Sequence, residues 1–330
     1  MTAQSRAGRH GRDGLRIAQL ADTALPQLPA DLPPWPGRLV TANGASVFVR
    51  TTPSTGPDAE PALFVHGLAG ASTNWTDLAG YLAPQLAGES IDLPGFGRSG
   101  PAPGGNYSIR NATRTVIDYL DRSDRGPVHL VGNSMGGAIS ISIAARRPDL
   151  VRTLTLVSPA VPDLRVKRGT AEPLMALLLV PGPVSGLVER RMATVTPEQR
   201  AKGLLQVCFA DPSRVSPHRL QESIDEVAAR ETMPWIHQAF TRSLRGLVRH
   251  WLTVGPNSVW RELTRITVPT LIVWGDQDQL VDVSLAPRVA RAVPDSRLLV
   301  LPGIGHTAQL EDPDTTARAF LSLLAETGDS

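Results

Sequence analysis

The sequence predicts an α/β protein, a mostly parallel, doubly wound sheet with one helical insertion between two late strands. Three observations carry that expectation. Short apolar runs alternate with stretches of helical periodicity along most of the chain. One of these runs, Val128–Val131, leads straight into Gly132-Asn133-Ser134-Met135-Gly136-Gly137, a glycine-serine turn that opens a helical stretch. Between about Ala160 and Ile266 no convincing strand occurs, only helix-like segments. The chain therefore divides into a flexible tail and Pro-rich arm (1–37), a core (38–160 and 267–330) and an inserted helical cap (161–266).

In order, Arg38–Val40 and Ser46–Arg50 read as a β-hairpin, with Asn43-Gly44 as its turn. Ala62–Val65 is a short strand, Trp75–Leu86 a helix and Glu89–Leu93 a strand that runs into the glycine-rich Pro94–Gly100. Ser108–Arg122 is amphipathic, with apolar Ile109, Ala112, Val116, Ile117 and Leu120 on one face and Ser108 as its cap. After Val128–Val131 a helix runs from Met135 to Arg146 and stops at Pro148. Thr153–Val157, Thr270–Trp274 and Arg297–Leu301 are strands, and Thr315–Ala325 closes the chain as a helix. The insertion holds helix-like Pro173–Leu179, Pro197–Cys208, Pro217–Arg230 and Trp235–Arg245. An insertion at the C-terminal edge of a parallel sheet sits over the ligand crevice.

Composition excludes several classes. The 330 residues are 42% hydrophobic and 19% charged with a formal net charge of +2, ordinary for a globular protein. No Lys/Arg block or basic aromatic stripe marks a nucleic-acid surface. The tail carries Arg6, Arg9, Arg12 and Arg16 without an apolar segment, so it is not a recognisable secretory signal. The longest apolar run, Leu174–Val184, is broken by Pro181 and Pro183 and is too short to span a bilayer. A single cysteine, Cys208, cannot form an internal disulfide, and its apolar setting reads as a buried structural thiol. The expectation is a cytoplasmic protein.

The chemistry lies in the glycine-serine turn. A strand, G-x-S-x-G and then a helix form the context of a nucleophile held on a tight turn. Glycines two before and two after Ser134 remove clashes with neighbouring backbone, so the hydroxyl stands clear at the helix N-terminus. A serine hydroxyl needs a base. His10 lies in the tail, His129 inside a strand, and His218, His237 and His250 in the insertion. His306 follows a strand in the loop Pro302-Gly303-Ile304-Gly305-His306 and is the candidate base. The base needs a carboxylate. Asp276 and Asp278 compete after the strand Thr270–Trp274. Asp276 is placed to shape the turn by an Asx-type hydrogen bond, and Asp278 to reach His306, with Asp163 as an outside candidate. The order Ser134, Asp278, His306 is the chain order of one hydrolase fold. The oxyanion donors are expected to be the N–H groups of Met135, after the serine, and Leu68, in the loop His66-Gly67-Leu68-Ala69-Gly70. His66 is read as a structural buttress of that loop. These side chains suffice, so no metal or organic cofactor is implied.

The chain resembles the α/β-hydrolase fold family. The resemblance rests on LFVHGLAGAS (Leu63–Ser72), DLPGFGRSG (Asp92–Gly100), VGNSMGGA (Val131–Ala138), VWGDQDQLV (Val273–Val281) and GIGHTAQLEDP (Gly303–Pro313). It implies a helical cap over a Ser-His-Asp site. GNSMGG, GHTAQ and the cap segment LLQVCFADPSRVSP look most like the meta-cleavage-product hydrolases, which split carbon–carbon bonds. Thr307 stands where that group has tryptophan, and Gln221-Glu222-Ser223 where it has a cap arginine; Arg190 and Arg191 do not match the motif. The expectation is a serine hydrolase of small-molecule carboxylic esters with apolar acyl or aromatic groups. A C–C hydrolase is the first alternative and a non-catalytic binding protein on the same fold the second.

Overall fold

A computed structural model of the chain describes residues 14–163 and 195–328. Eight strands form one sheet: β1 (Gly37–Ala42), β2 (Ala45–Thr52), β3 (Glu60–Val65), β4 (Leu86–Ile91), β5 (Val128–Asn133), β6 (Val151–Val157), β7 (Thr270–Gly275) and β8 (Ser296–Leu301). Their order across the sheet is β1-β2-β4-β3-β5-β6-β7-β8. The six from β4 to β8 run parallel, and β2 is antiparallel to both its neighbours. Every residue of β5 and β7 is buried, which is why these strands read as continuous apolar runs rather than alternating ones. The hairpin turn at Asn43-Gly44 has positive φ at both residues, 49° and 72°, and Asp118 accepts the Asn43 N–H at 2.7 Å.

Helices cover both faces. On one lie α1 (Thr76–Leu82) and the closing helix, Pro313–Gly328; on the other α2 (Ile109–Ser123) and α3 (Met135–Arg146). Ser108 Oγ caps α2 through the Asn111 N–H, as expected. Several boundaries move. The first helix ends at Leu82, because Pro84 has no N–H with which to continue it, and Leu86 already belongs to β4. That strand spans Leu86–Ile91, not Glu89–Leu93. The closing helix extends beyond Thr315–Ala325 at both ends.

Between β6 and β7 the described residues hold no strand, only α4 (Pro197–Cys208), α5 (Pro217–Glu231), α6 (Ile236–Trp251) and α7 (Val259–Leu263). Pro opens α4 and α5 in their first turn, and Thr196 and Ser216 cap them. The expected helix Pro173–Leu179 lies outside the described residues. Beyond β7 come α8 (Ala286–Ala292), α9 (Ala308–Glu311) and α10, the closing helix. No helix among the described residues is long and apolar enough to cross a membrane.

The arm before β1, expected to be flexible from residue 1 to 37, is docked where it is described. Leu298 of the edge strand β8 accepts the Ala18 N–H at 3.0 Å and donates to Arg16 at 2.9 Å. The Arg16 guanidinium pairs with Asp295 and Glu326. Trp35 Nε1 donates to the Thr76 carbonyl at 3.0 Å, and Leu32 is buried. An edge strand offers unpaired backbone groups, and the arm satisfies them.

Glycines test this packing. A Cβ at Gly136 would lie 2.1 Å from the Val65 carbonyl oxygen, whereas one at Gly203 in α4 would meet nothing within 4 Å. Gly136→Ala is expected to cost about 2–3 kcal/mol through overpacking. Gly203→Ala is expected to add about 0.5–1 kcal/mol by relieving helix entropy. Urea unfolding midpoints of the two variants check both signs.

Candidate active site

The turn between β5 and α3 places Ser134 at φ 52°, ψ −116°, a conformation non-glycine residues rarely hold. Hydrogen bonds fix it there. Ser134 N–H donates to the Val157 carbonyl at 3.1 Å, and its carbonyl accepts from Ala138 and Ala160 at 3.0 and 2.9 Å. The turn closes so tightly that a Cβ at Gly132 would sit 2.5 Å from the Gly136 oxygen. The Ser134 residue is half-buried, and its hydroxyl makes no hydrogen bond among the described residues. The loop after β3 lies against it: a Cβ at Gly67 would fall 3.1 Å from Ser134 Cβ.

His306 sits beyond β8 and Asp278 beyond β7, adjacent strands. His306 Nδ1 donates to Asp278 Oδ2 at 2.8 Å, with both side chains buried. Asp278 Oδ1 accepts the N–H groups of Leu280 and Val281 at 2.9 Å each, so the whole carboxylate is held in place. The expected roles within the loop shift in one respect. Asp278 makes the Asx-type bond, while Asp276 reaches across to accept the Gly303 N–H at 2.7 Å. With Nδ1 donating to Asp278, His306 Nε2 is the nitrogen free to take a proton. The elbow and this loop are joined by Asn133, whose amide donates to the carbonyls of His306 (3.2 Å) and Val157 (3.1 Å). Thus Asp278 and His306 are in direct contact, and Ser134 stands next to the residue that holds His306. No Ser134–His306 hydrogen bond closes the line, a contact that commonly tightens only when substrate binds.

The N–H groups of Met135 and Leu68 donate to no described group, and α3 begins at Met135 with its positive end toward the serine. The Leu68 loop is supported from two sides. His66 is fully buried; its Nε2 accepts the Leu93 N–H at 3.0 Å, so Nδ1 carries the proton and donates to the Gly67 carbonyl at 2.7 Å. Arg230 of α5 donates to the Ala69 carbonyl at 2.6 Å. Burial lowers the His66 pKa to about 4. Desolvation first, and the Asp278 charge second, push the Cys208 thiol up to about 12, which disfavours its thiolate.

Three residues that support this arrangement were not singled out from the sequence: Asn133, Arg230 and Glu311. Asn133 lay inside the recognised turn, but its role depends on which loop becomes its neighbour. Arg230 lay on an amphipathic helix with nothing to distinguish it from a surface charge. Glu311 ends the short helix α9 that follows His306, with nothing in its local sequence to mark it.

A family model described as the alpha/beta hydrolase fold matches residues 61–313. The chain belongs to the α/β-hydrolase family. Monoacylglycerol lipase ABHD6 of Mus musculus is 28% identical over 265 residues, 80% of this chain and 75% of that one. The 2-hydroxy-6-oxononadienedioate/2-hydroxy-6-oxononatrienedioate hydrolase of Cupriavidus pinatubonensis is 26% identical over 295 residues, 88% and 94% of the two chains. Among solved structures, a bacterial membrane phospholipase A superposes with a TM-score of 0.72 at 23% identity, covering 89% of this chain and 87% of that one. The meta-cleavage product hydrolase of Pseudomonas fluorescens superposes with a TM-score of 0.68 at 21% identity, covering 88% and 98%. At these identities the solved structures speak for the fold.

In this α/β-hydrolase the neutral, buried His66 has a consequence for stability. Its folded pKa lies below the unfolded value of about 6.5, so its contribution is complete above pH 6.5 and is lost as pH falls toward 4. The loss between pH 7 and pH 4 is expected to reach about 3 kcal/mol. Urea unfolding at the two pH values measures it, and in His66→Gln that part of the acid sensitivity should disappear.

Proposed function

We propose that this α/β-hydrolase is a serine hydrolase that cleaves carboxylic esters through an acyl-enzyme. The observation that carries the reading is the backbone of Ser134. A non-glycine residue held at φ 52° costs on the order of 1–3 kcal/mol, and such strain clusters at functional sites. The cost has a use where the residue must present its side chain at the head of a helix and beside the Leu68 N–H, which donates to no described group. Ser134 Oγ attacks the ester carbonyl carbon while its proton passes to His306 Nε2. Asp278 holds the imidazole by Nδ1 and stabilises the imidazolium. The N–H groups of Leu68 and Met135 hold the oxyanion. His306 then gives the proton to the leaving alkoxide and takes one from water; the hydroxide attacks the acyl carbon, the bond to Ser134 Oγ breaks, and His306 returns the proton to Oγ. Residues 161–266 act as the cap over this site, and residues 38–160 and 267–330 as its core.

Esters are favoured over carbon–carbon substrates by the cap. Arg219, two residues before the segment where a carboxylate-binding arginine is expected, is bound to Asp77 at 2.5 Å and to Glu222 at 2.6 Å. The similarity to the Cupriavidus hydrolase, along nearly its full length, supports the carbon–carbon reading as the alternative.

A panel of p-nitrophenyl esters of increasing chain length, run beside a meta-cleavage dienoate, separates the two. The expected result is ester turnover that favours apolar acyl groups, with Ser134→Ala reducing kcat by about 10⁴-fold or more while circular dichroism stays unchanged. Turnover of the dienoate alone selects the alternative. A wild-type protein that neither turns over an ester nor takes a fluorophosphonate label on Ser134 is not a serine hydrolase.

A further inference from the structure

Glu311 is a buried carboxylate without an arginine or lysine partner among the described residues. Its two oxygens accept three backbone N–H groups from two distant parts of the chain. Oε2 takes Gly305, the residue before His306, at 2.7 Å, and also Ala210 at 3.1 Å; Oε1 takes Asp211 at 2.9 Å. Ala210 and Asp211 follow the end of α4 in the insertion. The same two segments touch through backbone. His306 N–H donates to the Cys208 carbonyl at 2.7 Å. A Cβ at Gly305 would lie 2.5 Å from that carbonyl oxygen and 2.7 Å from the Ala210 nitrogen. On its inner side the loop rests on β7, where a Cβ at Gly275 would lie 2.2 Å from the Ile304 and Gly305 oxygens.

We infer that Glu311 is a positioning residue that couples the seating of cap segment 208–211 to the placement of His306. The inference rests on the ester-hydrolase reading above. With the segment seated, one carboxylate gathers the N–H groups of both loops and the His306 backbone is clamped between β7 and the cap. With it lifted, the His306 and Gly305 N–H groups lose the Cys208 carbonyl and the shared carboxylate geometry, and the loop that carries the imidazole is no longer clamped. An amide cannot replace this carboxylate, because its NH₂ would face a backbone N–H.

The test measures kcat and KM for an ester on wild type, Glu311→Gln, Glu311→Asp and Glu262→Gln. Glu262 is equally buried but binds Ser142 and Arg146. Glu311→Gln is expected to lower kcat 10- to 100-fold with KM changed less than threefold. Glu311→Asp should recover part of that loss, and Glu262→Gln should lower the melting temperature while leaving kcat of the folded enzyme unchanged. A folded Glu311→Gln with wild-type kcat overturns the inference. Should that variant not fold, amide exchange in the wild type decides: Gly305, Ala210 and Asp211 must be protected together, and independent opening of Gly305 overturns it. Wild-type protein that shows neither turnover nor Ser134 labelling defeats the ester-hydrolase reading itself, a separate outcome from an active wild type with an unaffected Glu311→Gln.

Discussion

Backbone packed directly on backbone at the C-terminal edge of the sheet is the constraint on which the site depends. The proposed site needs three loops, after β3, β5 and β8, to lie close together. Side chains between them would hold them apart. At Gly136 the helix that follows Ser134 touches the carbonyl oxygens of Val65 and His66, and at Gly275 strand β7 touches those of Ile304 and Gly305. At both places the nearest atoms are main-chain oxygens, which have no rotamer with which to yield. The rigid sheet then does the remaining work. Parallel strands end on one edge, so residues far apart in sequence arrive together: Asn133 and His306 are 173 positions apart and hydrogen-bonded.

The same constraint explains how the insertion bears on the chemistry. Its helices are tied to the core at the two loops that flank Ser134. Arg230 of α5 holds the Ala69 carbonyl beside Leu68, and the segment after α4 hydrogen-bonds the loop carrying His306. A cap that only added mass could rest on apolar contacts alone. Here two of its hydrogen-bonded attachments lie within one residue of a proposed oxyanion donor or of the proposed base. The insertion is thus attached to the core at the same loops that bear the proposed base and oxyanion donor.

Much of this was legible in the sequence, and the pattern of what was not is physical. Strands β3, β5 and β7 were plain because central parallel strands are buried on both faces and need only apolar residues. The start of β4 was hidden because Leu86-Ala87-Gly88 has little strand character, and its pairing with β3 overrides local propensity. The docking of the arm on β8 could not be read, since it uses main-chain hydrogen bonds that any residue can make. Ser134, His306 and Asp278 could be singled out as candidates because glycine-flanked loops after strands are rare enough to be informative. Which aspartate makes the Asx-type bond was not legible: two aspartates two residues apart differ only in where the turn points them. Asn133, Arg230 and Glu311 act on neighbours supplied by strand order, which local sequence does not contain.

The charges around His306 follow from that geometry. Two buried carboxylates flank its loop, Asp278 at the imidazole and Glu311 at the preceding N–H. Apart from the imidazole, their partners are backbone N–H groups, and neither has an arginine or lysine partner among the described residues. Amide dipoles fix and solvate a carboxylate without cancelling its charge, whereas an ion pair would neutralise it. The nearby Cys208 thiol registers the result, since the Asp278 charge adds to desolvation in opposing its ionisation. The loop that carries His306 is therefore fixed by backbone donors converging on two carboxylates rather than by ion pairs, so its shape depends on which loops the strand order makes neighbours.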